Sequence, residues 1–286
     1  MNLLESILQA VIQGLTEFLP VSSSGHLSLF QHFFDLDGEG ALLNSVVLHL
    51  GTLLAVFIAF HQTIAVLVAE FFQTVKDIFT GRFKWKSMNA SRRMIIMIIL
   101  SILPLFGFYI FKDFFTALSE DSSIIAEGIG FLYTSALLFL SDRCVKGKKK
   151  PGEATAGDAL TIGVFQGIAL VPGISRSGST ISAALLRGLS REAAVEYSFI
   201  LGIPVILAGA LVEFKDAVQQ EAAIEWLPLS VGFLVAAVTG FFSIKMIKWL
   251  VKNDRFKIFA LYTLILGILV LGAGIYEAVS GHRLLL

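Results

Sequence analysis

Long apolar stretches alternate with short polar ones along this chain, and their lengths predict which parts cross a membrane. A helix needs about 20 residues to cross a hydrocarbon core about 30 Å thick. Six stretches are predominantly apolar over roughly this length: 44–69, 94–111, 124–140, 197–212, 228–244 and 258–276. The pattern therefore predicts six transmembrane helices.

Two further apolar runs are interrupted by polar residues and predict a different structure. The first consists of a helix over 7–19, a break at 20–25 and a short helix over 26–34. The second run, 159–186, is broken at 172–180. Each arm is too short to cross the bilayer, and non-helical backbone survives at membrane depth only where protein or a water-filled cavity surrounds it. Both runs are therefore predicted to form re-entrant helical hairpins, which enter and leave the membrane on one side.

The basic residues predict how these helices are oriented. Of the 22 Lys and Arg residues, 18 fall in four segments: 76–93, 142–158, 187–191 and 245–257. Basic residues in short loops stay on the cytoplasmic side, so these segments are expected there and both termini are expected outside. Three short acidic loops are expected on the outer side: 35–39, 112–123 and 213–225.

Composition supports this assignment and excludes other classes of protein. The chain is 56% hydrophobic with a mean hydropathy of +0.80, and only 15% of its residues are charged, against about 25% in a typical soluble domain. The formal net charge is zero, so no global basic field would attract nucleic acid. Cys144 is the single cysteine, which excludes an internal disulfide. The predicted fold class is an all-α polytopic membrane protein.

The two broken segments also resemble each other, which indicates an internal repeat. Three residues of the first recur 153 positions later in the second: Gln13, Gly14 and Gly25 as Gln166, Gly167 and Gly178. Three predicted spans follow each hairpin, and the first hairpin starts outside whereas the second starts inside. The repeats, about 1–141 and 153–277 of a single membrane domain 1–286, would thus have inverted topology. Such proteins place their site near the midplane, where the broken helices meet; the alternative is chance similarity among Gly, Ser and Pro.

The second break contains the only charge of its apolar run, Arg176. An arginine at bilayer depth costs about 2.5 kcal/mol or more unless it faces a polar cavity or an anion. The hydroxyls of Ser175, Ser177 and Thr180 stand close by in the sequence, and together with backbone N–H groups they would suit a phosphate. The alternative is an arginine that packs against helix-end carbonyls, with serines as caps.

The first break follows a buried carboxylate. Gln13 and Glu17 are four residues apart and lie on one face of the predicted helix. Glu17 is interpreted either as a structural ion-pair partner of Arg176 or as a general base or metal ligand, since carboxylates at membrane depth are usually functional.

A histidine and several hydroxyls follow this carboxylate. His26 exchanges a proton near neutral pH, and Ser22 and Ser23 are nearby candidate substrate-binding and nucleophilic hydroxyls. Facing each other, the two breaks would assemble a carboxylate, a histidine, hydroxyls and an arginine. This set suits phosphoryl transfer, and the apolar surroundings predict an amphiphilic substrate with a phosphate head and a lipid tail.

A second class of function fits the same architecture. Inverted repeats with broken helices are the usual construction of secondary transporters, so the same groups would bind a lipid phosphate for translocation without hydrolysis. A purely structural membrane scaffold explains neither Arg176 nor Glu17 at depth.

The two broken segments carry a resemblance that extends over the full length of the chain. Their motifs are Gln-Gly-Leu-Thr-Glu-Phe-Leu-Pro-Val-Ser-Ser-Ser-Gly-His over 13–26 and Pro-Gly-Ile-Ser-Arg-Ser-Gly-Ser-Thr over 172–180. The chain resembles the undecaprenyl-diphosphate phosphatases of bacteria, also known as bacitracin-resistance proteins. This resemblance implies an enzyme of the bacterial inner membrane that removes the terminal phosphate of undecaprenyl diphosphate, so that the monophosphate carrier lipid is recycled for cell-wall synthesis.

The resemblance also implies which residues act. The positions that match the family motifs are Gln13, Glu17, Ser23, His26, Ser175, Arg176 and Thr180. It further implies an interdigitated inverted repeat, a site that opens to the outer face, a homodimer, and a divalent cation, Mg or Ca, at Glu17. Position 13 is Gln where many members have Glu, so Glu17 is expected to be the principal carboxylate. The nucleophile is left open among Ser23, His26 and water.

Overall fold

The computed structural model describes residues 2–35, 41–85, 88–120, 123–144, 146–219, 225–253 and 255–285. Over these residues the regular structure is helical, apart from one isolated bridge between Lys149 and Leu189 and a short 3-10 turn at Pro151–Glu153. The α-helices are α1 Leu3–Thr16, α2 Ser23–Phe34, α3 Ala41–Ala59, α4 His61–Phe79, α5 Ala90–Tyr109, α6 Lys112–Glu120, α7 Ile125–Asp142, α8 Ala156–Ile168, α9 Arg176–Leu186, α10 Arg191–Gln219, α11 Trp226–Lys252 and α12 Lys257–Ser280.

Within the described ranges, six helices are long and apolar enough to cross a membrane: α3, α5, α7, α10, α11 and α12. Each of them contains most or all of one predicted span, so the number of spans and the all-helical membrane class are confirmed. The helices of the C-terminal half, α10, α11 and α12, extend beyond the predicted limits at both ends. The spans carry many exposed large apolar side chains, as expected of surfaces that face lipid.

Three local predictions were wrong. The acidic loop predicted over 213–225 is helical as far as Gln219, where α10 ends. The predicted span 44–69 is divided at Phe60, whose backbone (φ −124°, ψ 22°) leaves the helical region between α3 and α4. The 19 residues of α3 already extend about 28 Å at 1.5 Å per residue, so the span is complete before the break. The predicted acidic loop 112–123 contains helix α6. The predicted loop 35–39 lies outside the described residues except for Asp35.

The basic segments meet at one end of the helices. Arg191 pairs with Asp142 at 3.0 Å, and Arg93 Nε donates to the carbonyl of Ala154 at 3.1 Å. The ammonium of Lys248 lies 3.6 Å from the centroid of the Phe60 ring. The first two contacts join three of the four basic segments, which are far apart in sequence, and the third places Lys248 of the fourth segment beside the break between α3 and α4.

The first helix of each broken segment packs on a helix from the other half of the chain. Helix α1 lies mainly against α11, and α8 lies mainly against α5. The close approach depends on small residues at equivalent positions. A Cβ on Gly14 would overlap Thr239 of α11, and a Cβ on Gly167 would overlap Phe108 of α5. The two halves are therefore interlocked rather than side by side.

Candidate active site

The two broken segments meet in the interior. The hydroxyl of Ser177 donates to the carbonyl of Leu19 at 3.1 Å, which ties the second break to the first. A Cβ on Gly25 would lie 3.0 Å from Cα of Gly173, and a Cβ on Gly178 would lie 3.3 Å from Cβ of Pro20. Both contacts leave little room for a side chain, so the glycines let the two breaks approach each other closely.

Both breaks end at a serine cap, and this corrects the predicted helix starts. Ser22 Oγ accepts from the N–H of Gly25 at 3.2 Å, and Ser175 Oγ accepts from the N–H of Gly178 at 3.0 Å. Serine caps a helix by accepting from the orphan amides of its first turn. Helix α2 therefore starts at Ser23 rather than at 26, and α9 starts at Arg176 rather than near 178. The two capping serines stand 153 positions apart in the sequence.

Glu17 is the centre of the assembled site. It is buried and accepts a hydrogen bond from Arg176 Nη2 at 2.5 Å, one from Ser23 Oγ at 2.7 Å and one from Gln13 Nε2 at 3.0 Å. A carboxylate that only accepts in this way is ionised. The predicted shared face of Gln13 and Glu17 is confirmed, and Glu17 and Arg176 form the ion pair that one of the two interpretations of Glu17 predicted.

A second histidine approaches the same carboxylate. His49 lies near the middle of α3, with Nε2 4.0 Å from Glu17 Oε2 and Nδ1 2.9 Å from the carbonyl of Ser45. Because a carbonyl only accepts, Nδ1 carries the proton and Nε2 faces the carboxylate. His49 falls within the predicted span 44–69, and only the packing of α3 brings it close to Glu17.

The guanidinium of Arg176 has room beside α10 because residue 202 of that helix is a glycine. A Cβ on Gly202 would overlap Arg176 Nη1 and would lie 3.1 Å from Cζ. The guanidinium is 18% exposed and keeps donors beyond the one that binds Glu17. Gly202 was not predicted from the sequence, because nothing local distinguishes it from other glycines in membrane helices.

His26 has different partners from Ser23. His26 Nδ1 lies 2.7 Å from the carbonyl of Ser22, and Nε2 lies 2.6 Å from the hydroxyl of Tyr262 on α12. Ser22 has a φ of 72°, a region that non-glycine residues rarely adopt. This backbone conformation aims its carbonyl at the imidazole. The Ser23 hydroxyl therefore bonds to Glu17, and the histidine occupies a separate position beside it.

The other hydroxyls predicted to bind substrate hold the second break together. Ser175 Oγ lies 3.2 Å from Ser177 Oγ, and both residues are buried. Thr180 Oγ1 donates to the carbonyl of Arg176 at 2.9 Å and pairs with Ser198 at 2.6 Å. Contacts of these hydroxyls with a substrate stay a prediction. The side chains of Arg176, Ser23 and His26 are partly exposed.

One oxygen beside Glu17 is available to a cation. Gln13 Oε1 is buried and has no hydrogen-bond partner. No group of three or more His, Cys, Asp or Glu side chains that could hold a metal ion occurs among the described residues. Magnesium is usually held by one or two protein oxygens, waters and substrate phosphates, whereas calcium takes six to eight oxygens. Glu17 and Gln13 therefore fit a magnesium ion shared with a phosphorylated substrate better than a calcium site built by protein alone.

The fold and the site together define a multi-pass membrane protein in which two broken helical segments join a carboxylate, an arginine and a serine hydroxyl. The family described as "Bacitracin resistance protein BacA" matches residues 6–269. The chain belongs to this family, so the resemblance inferred from the two motifs is confirmed.

Curated relatives are similar over almost the whole chain. A protein of Bacillus thuringiensis subsp. konkukian named "Undecaprenyl-diphosphatase 4" is 41% identical over 272 residues, which cover 95% of this chain and 97% of the relative. "Undecaprenyl-diphosphatase" of Carboxydothermus hydrogenoformans is 38% identical over 276 residues, with 95% and 97% covered. The protein of the same name from Halothermothrix orenii is 39% identical over 274 residues, with 95% and 98% covered.

Proposed function

We propose that this protein is an undecaprenyl-diphosphatase, which hydrolyses undecaprenyl diphosphate to undecaprenyl phosphate and inorganic phosphate and so returns the carrier lipid to cell-wall synthesis. The names of its relatives support this substrate. The observation that carries the proposal is the contact of Glu17 with both Arg176 and Ser23. It places an anion-binding cation and a hydroxyl within reach of one carboxylate, inside an apolar protein.

Arg176 would bind the diphosphate. Its planar guanidinium matches phosphate oxygens in a two-pronged arrangement, and the partly exposed side chain has donors that Glu17 does not use. The ion pair with Glu17 holds the guanidinium in place before the substrate arrives. Such pre-positioned charge supplies most of the catalysis in phosphoryl transfer, because the transferred group needs neutralisation and alignment more than covalent chemistry.

Ser23 is the proposed nucleophile and Glu17 the proposed base. Ser23 Oγ would form a bond to the terminal phosphorus while its proton passes to Glu17 Oε2, which lies 2.7 Å away. The bond between that phosphorus and the bridging oxygen breaks, and undecaprenyl phosphate leaves. Water then attacks the phosphoserine and releases phosphate, with His26 as a proton acceptor beside the site. A magnesium ion held by Glu17 and Gln13 would neutralise charge on the diphosphate.

Phosphate release from undecaprenyl diphosphate by the purified protein in detergent tests this function. Arg176→Ala and Glu17→Ala should abolish release while the variants stay folded. Absence of release by the wild type, together with movement of the lipid across vesicle membranes, would instead identify a carrier.

A labelled phospho-enzyme tests the nucleophile. Label from a substrate with a radioactive terminal phosphate should be trapped on the wild type by a detergent quench at neutral pH, which preserves both phosphoserine and phosphohistidine, and should be absent from Ser23→Ala. Ser24→Ala is the matched control, because Ser24 is the exposed neighbour and, among the described residues, its side chain bonds only to Ser22 Oγ, at 3.3 Å. Label that persists in Ser23→Ala would point to His26, and an active enzyme that never becomes labelled would point to water.

The two broken segments are proposed to be re-entrant hairpins of an inverted repeat. The reciprocal packing of α1 on α11 and α8 on α5 supports this arrangement. So do the two serine caps, Ser22 and Ser175, at equivalent positions. The interlocked halves form one domain, and the Glu17–Arg176 pair joins them near the proposed midplane. His49, near the middle of α3, supports that depth.

The protein is proposed to lie in the bacterial inner membrane with both termini outside and the site open to the outer face. The gathering of basic segments at one end supports this orientation. A membrane-impermeant thiol reagent tests it on intact cells. It should not label Cys144, the single cysteine, but should label Ser280→Cys in a Cys144→Ser background. The reverse pattern would invert the orientation.

A homodimer is proposed from the resemblance to the family. Light scattering of the purified protein in a mild detergent measures the protein mass within the micelle, and a mass near 31 kDa would contradict the dimer.

A further inference from the structure

The His26 ring is held by partners on several sides. Its Nδ1 faces the carbonyl of Ser22 at 2.7 Å, and its Nε2 faces the hydroxyl of Tyr262 at 2.6 Å. The rings of His26 and Tyr262 are stacked, with centroids 5.7 Å apart and planes within 8°. Phe131 closes another side with an edge contact at 5.4 Å. Tyr262 thus provides both a ring contact and a hydrogen bond.

The carbonyl fixes the form of the imidazole. A carbonyl accepts but does not donate, so His26 Nδ1 carries a proton and Nε2 is the nitrogen that gains or loses one. Tyr262 donates to Nε2 when the ring is neutral. Its hydroxyl oxygen accepts from Nε2 when the ring is protonated. One hydroxyl therefore holds the ring in the same orientation in both states.

Tyr262 itself is held at a fixed place relative to His26. Helix α12 packs along α7, where Ser135 Oγ donates to the carbonyl of Ala260 at 2.7 Å. The far end of α12 also holds α2, because Glu277 pairs with His32 at 3.0 Å. Helix α12 thus contacts α2 both near the start of α12, through Tyr262, and near its end, through Glu277. Tyr262 is 44% exposed beside the site, so its side chain is not enclosed in the core.

We propose that Tyr262 is a positioning residue for the phosphatase reaction, and that its hydroxyl aims Nε2 of His26 at the reacting group while the imidazole takes up and returns a proton. This proposal rests on the proposed function and on the assignment of His26 as a proton acceptor. The substrate does not need to touch Tyr262. Loss of the Tyr262 hydroxyl should therefore lower kcat, and it should do so only when His26 is present.

Tyr262→Phe isolates the hydroxyl, because the phenyl ring keeps the stack. With a single hydrogen bond lost, kcat should fall by about tenfold, while KM stays within about twofold because substrate contacts remain. Tyr276→Phe is the control on the same helix, since Tyr276 is also exposed, at 55%, and it should leave kcat unchanged. Equal kcat in Tyr262→Phe and the wild type would overturn the proposal.

A double-mutant cycle separates positioning from a structural effect. Tyr262→Phe should have no further effect on kcat in a His26→Ala background, because the tyrosine acts through that imidazole. The same fall in both backgrounds would refute the proposal. If His26→Ala is inactive, the ring ¹⁵N resonances of His26 decide. In the wild type they should show one tautomer with its proton on Nδ1, and in Tyr262→Phe the Nε2 resonance should move. An unmoved resonance would refute the proposal.

The proposal and the proposed function fail in different ways. A wild-type protein that releases no phosphate from undecaprenyl diphosphate contradicts the function. A wild-type protein that releases phosphate at a rate independent of the Tyr262 hydroxyl contradicts only the positioning role.

Discussion

Gly202→Ala should disable the site without unfolding the protein. Gly202 lies in α10 and faces the guanidinium of Arg176, and an added Cβ would overlap Nη1 and crowd Cζ at 3.1 Å. The overlapped atom is the far end of a flexible side chain, so Arg176 should swing away. Alanine is also the better helix former by up to about 1 kcal/mol, so stability should hold or rise slightly.

The expected loss of activity in Gly202→Ala follows from how far the guanidinium of Arg176 is displaced. Non-bonded atoms settle at about 3.5 Å or more, so the guanidinium must move by about 1 Å from its place beside Glu17. Misplacement by about 1 Å costs about 100-fold in rate. At 1.36 kcal/mol per tenfold, this corresponds to a loss of about 2.7 kcal/mol of transition-state stabilisation.

The assay is phosphate release from undecaprenyl diphosphate in detergent, measured beside thermal unfolding of the same preparation. The matched control is Gly209→Ala, seven positions along the same helix, where an added Cβ meets nothing within 4 Å. Its kcat/KM should equal that of the wild type. Gly202→Ala should lose about 100-fold in kcat/KM and melt at or slightly above the wild-type temperature.

Two outcomes would refute the reasoning. Activity of Gly202→Ala within twofold of the wild type would mean that the Arg176 position beside Gly202 is not the one that catalysis uses. An equal loss in Gly209→Ala would mean that α10 responds to any added methyl group, rather than to contact with the guanidinium.

Two further substitutions test charges at and near the site. Asp158, in the first turn of α8 outside the six spans, is buried, which raises its pKa, but hydrogen bonds from Lys149, the Thr155 amide and Arg187 lower the pKa to about 2 from 3.8. Since the folded-state pKa is depressed, its stabilisation is complete above about pH 4 and is lost as the pH falls towards 2. The difference in melting temperature between the wild type and Asp158→Asn should therefore shrink over that range, and a constant difference would contradict this account. Gln13→Glu adds a second carboxylate beside Glu17 and should lower the magnesium concentration for half-maximal activity by about tenfold. An unchanged requirement would argue against a cation at this position.

The hydropathy pattern of the sequence was sufficient to predict the six spans, the two broken runs and the end at which the basic segments gather. These properties depend on the composition of local segments, because whether a segment of about 20 residues lies in lipid or in water depends mainly on its own residues. An internal repeat was also predicted from the matched positions of one Gln and two Gly residues. The limits of elements were less accurate, as the break at Phe60 and the cap at Ser22 show, since capping depends on the backbone geometry of single residues.

Motif residues predicted from the sequence, such as Glu17 and Arg176, lie together in the site. Gly202 and Tyr262, which lie beside them, were not predicted from the sequence, and His49 was predicted only to lie within a span. Those residues come from spans that look alike in composition, and which face of each helix turns inward is decided by packing across the whole molecule. The tertiary structure alone therefore decided that Ser23 bonds to the carboxylate while His26 bonds to a tyrosine 236 positions away. The hydropathy of each segment determines which parts of the chain form membrane helices. Contacts between helices that are distant in sequence determine how each helix is rotated about its axis, and only that rotation brings the side chains into one site.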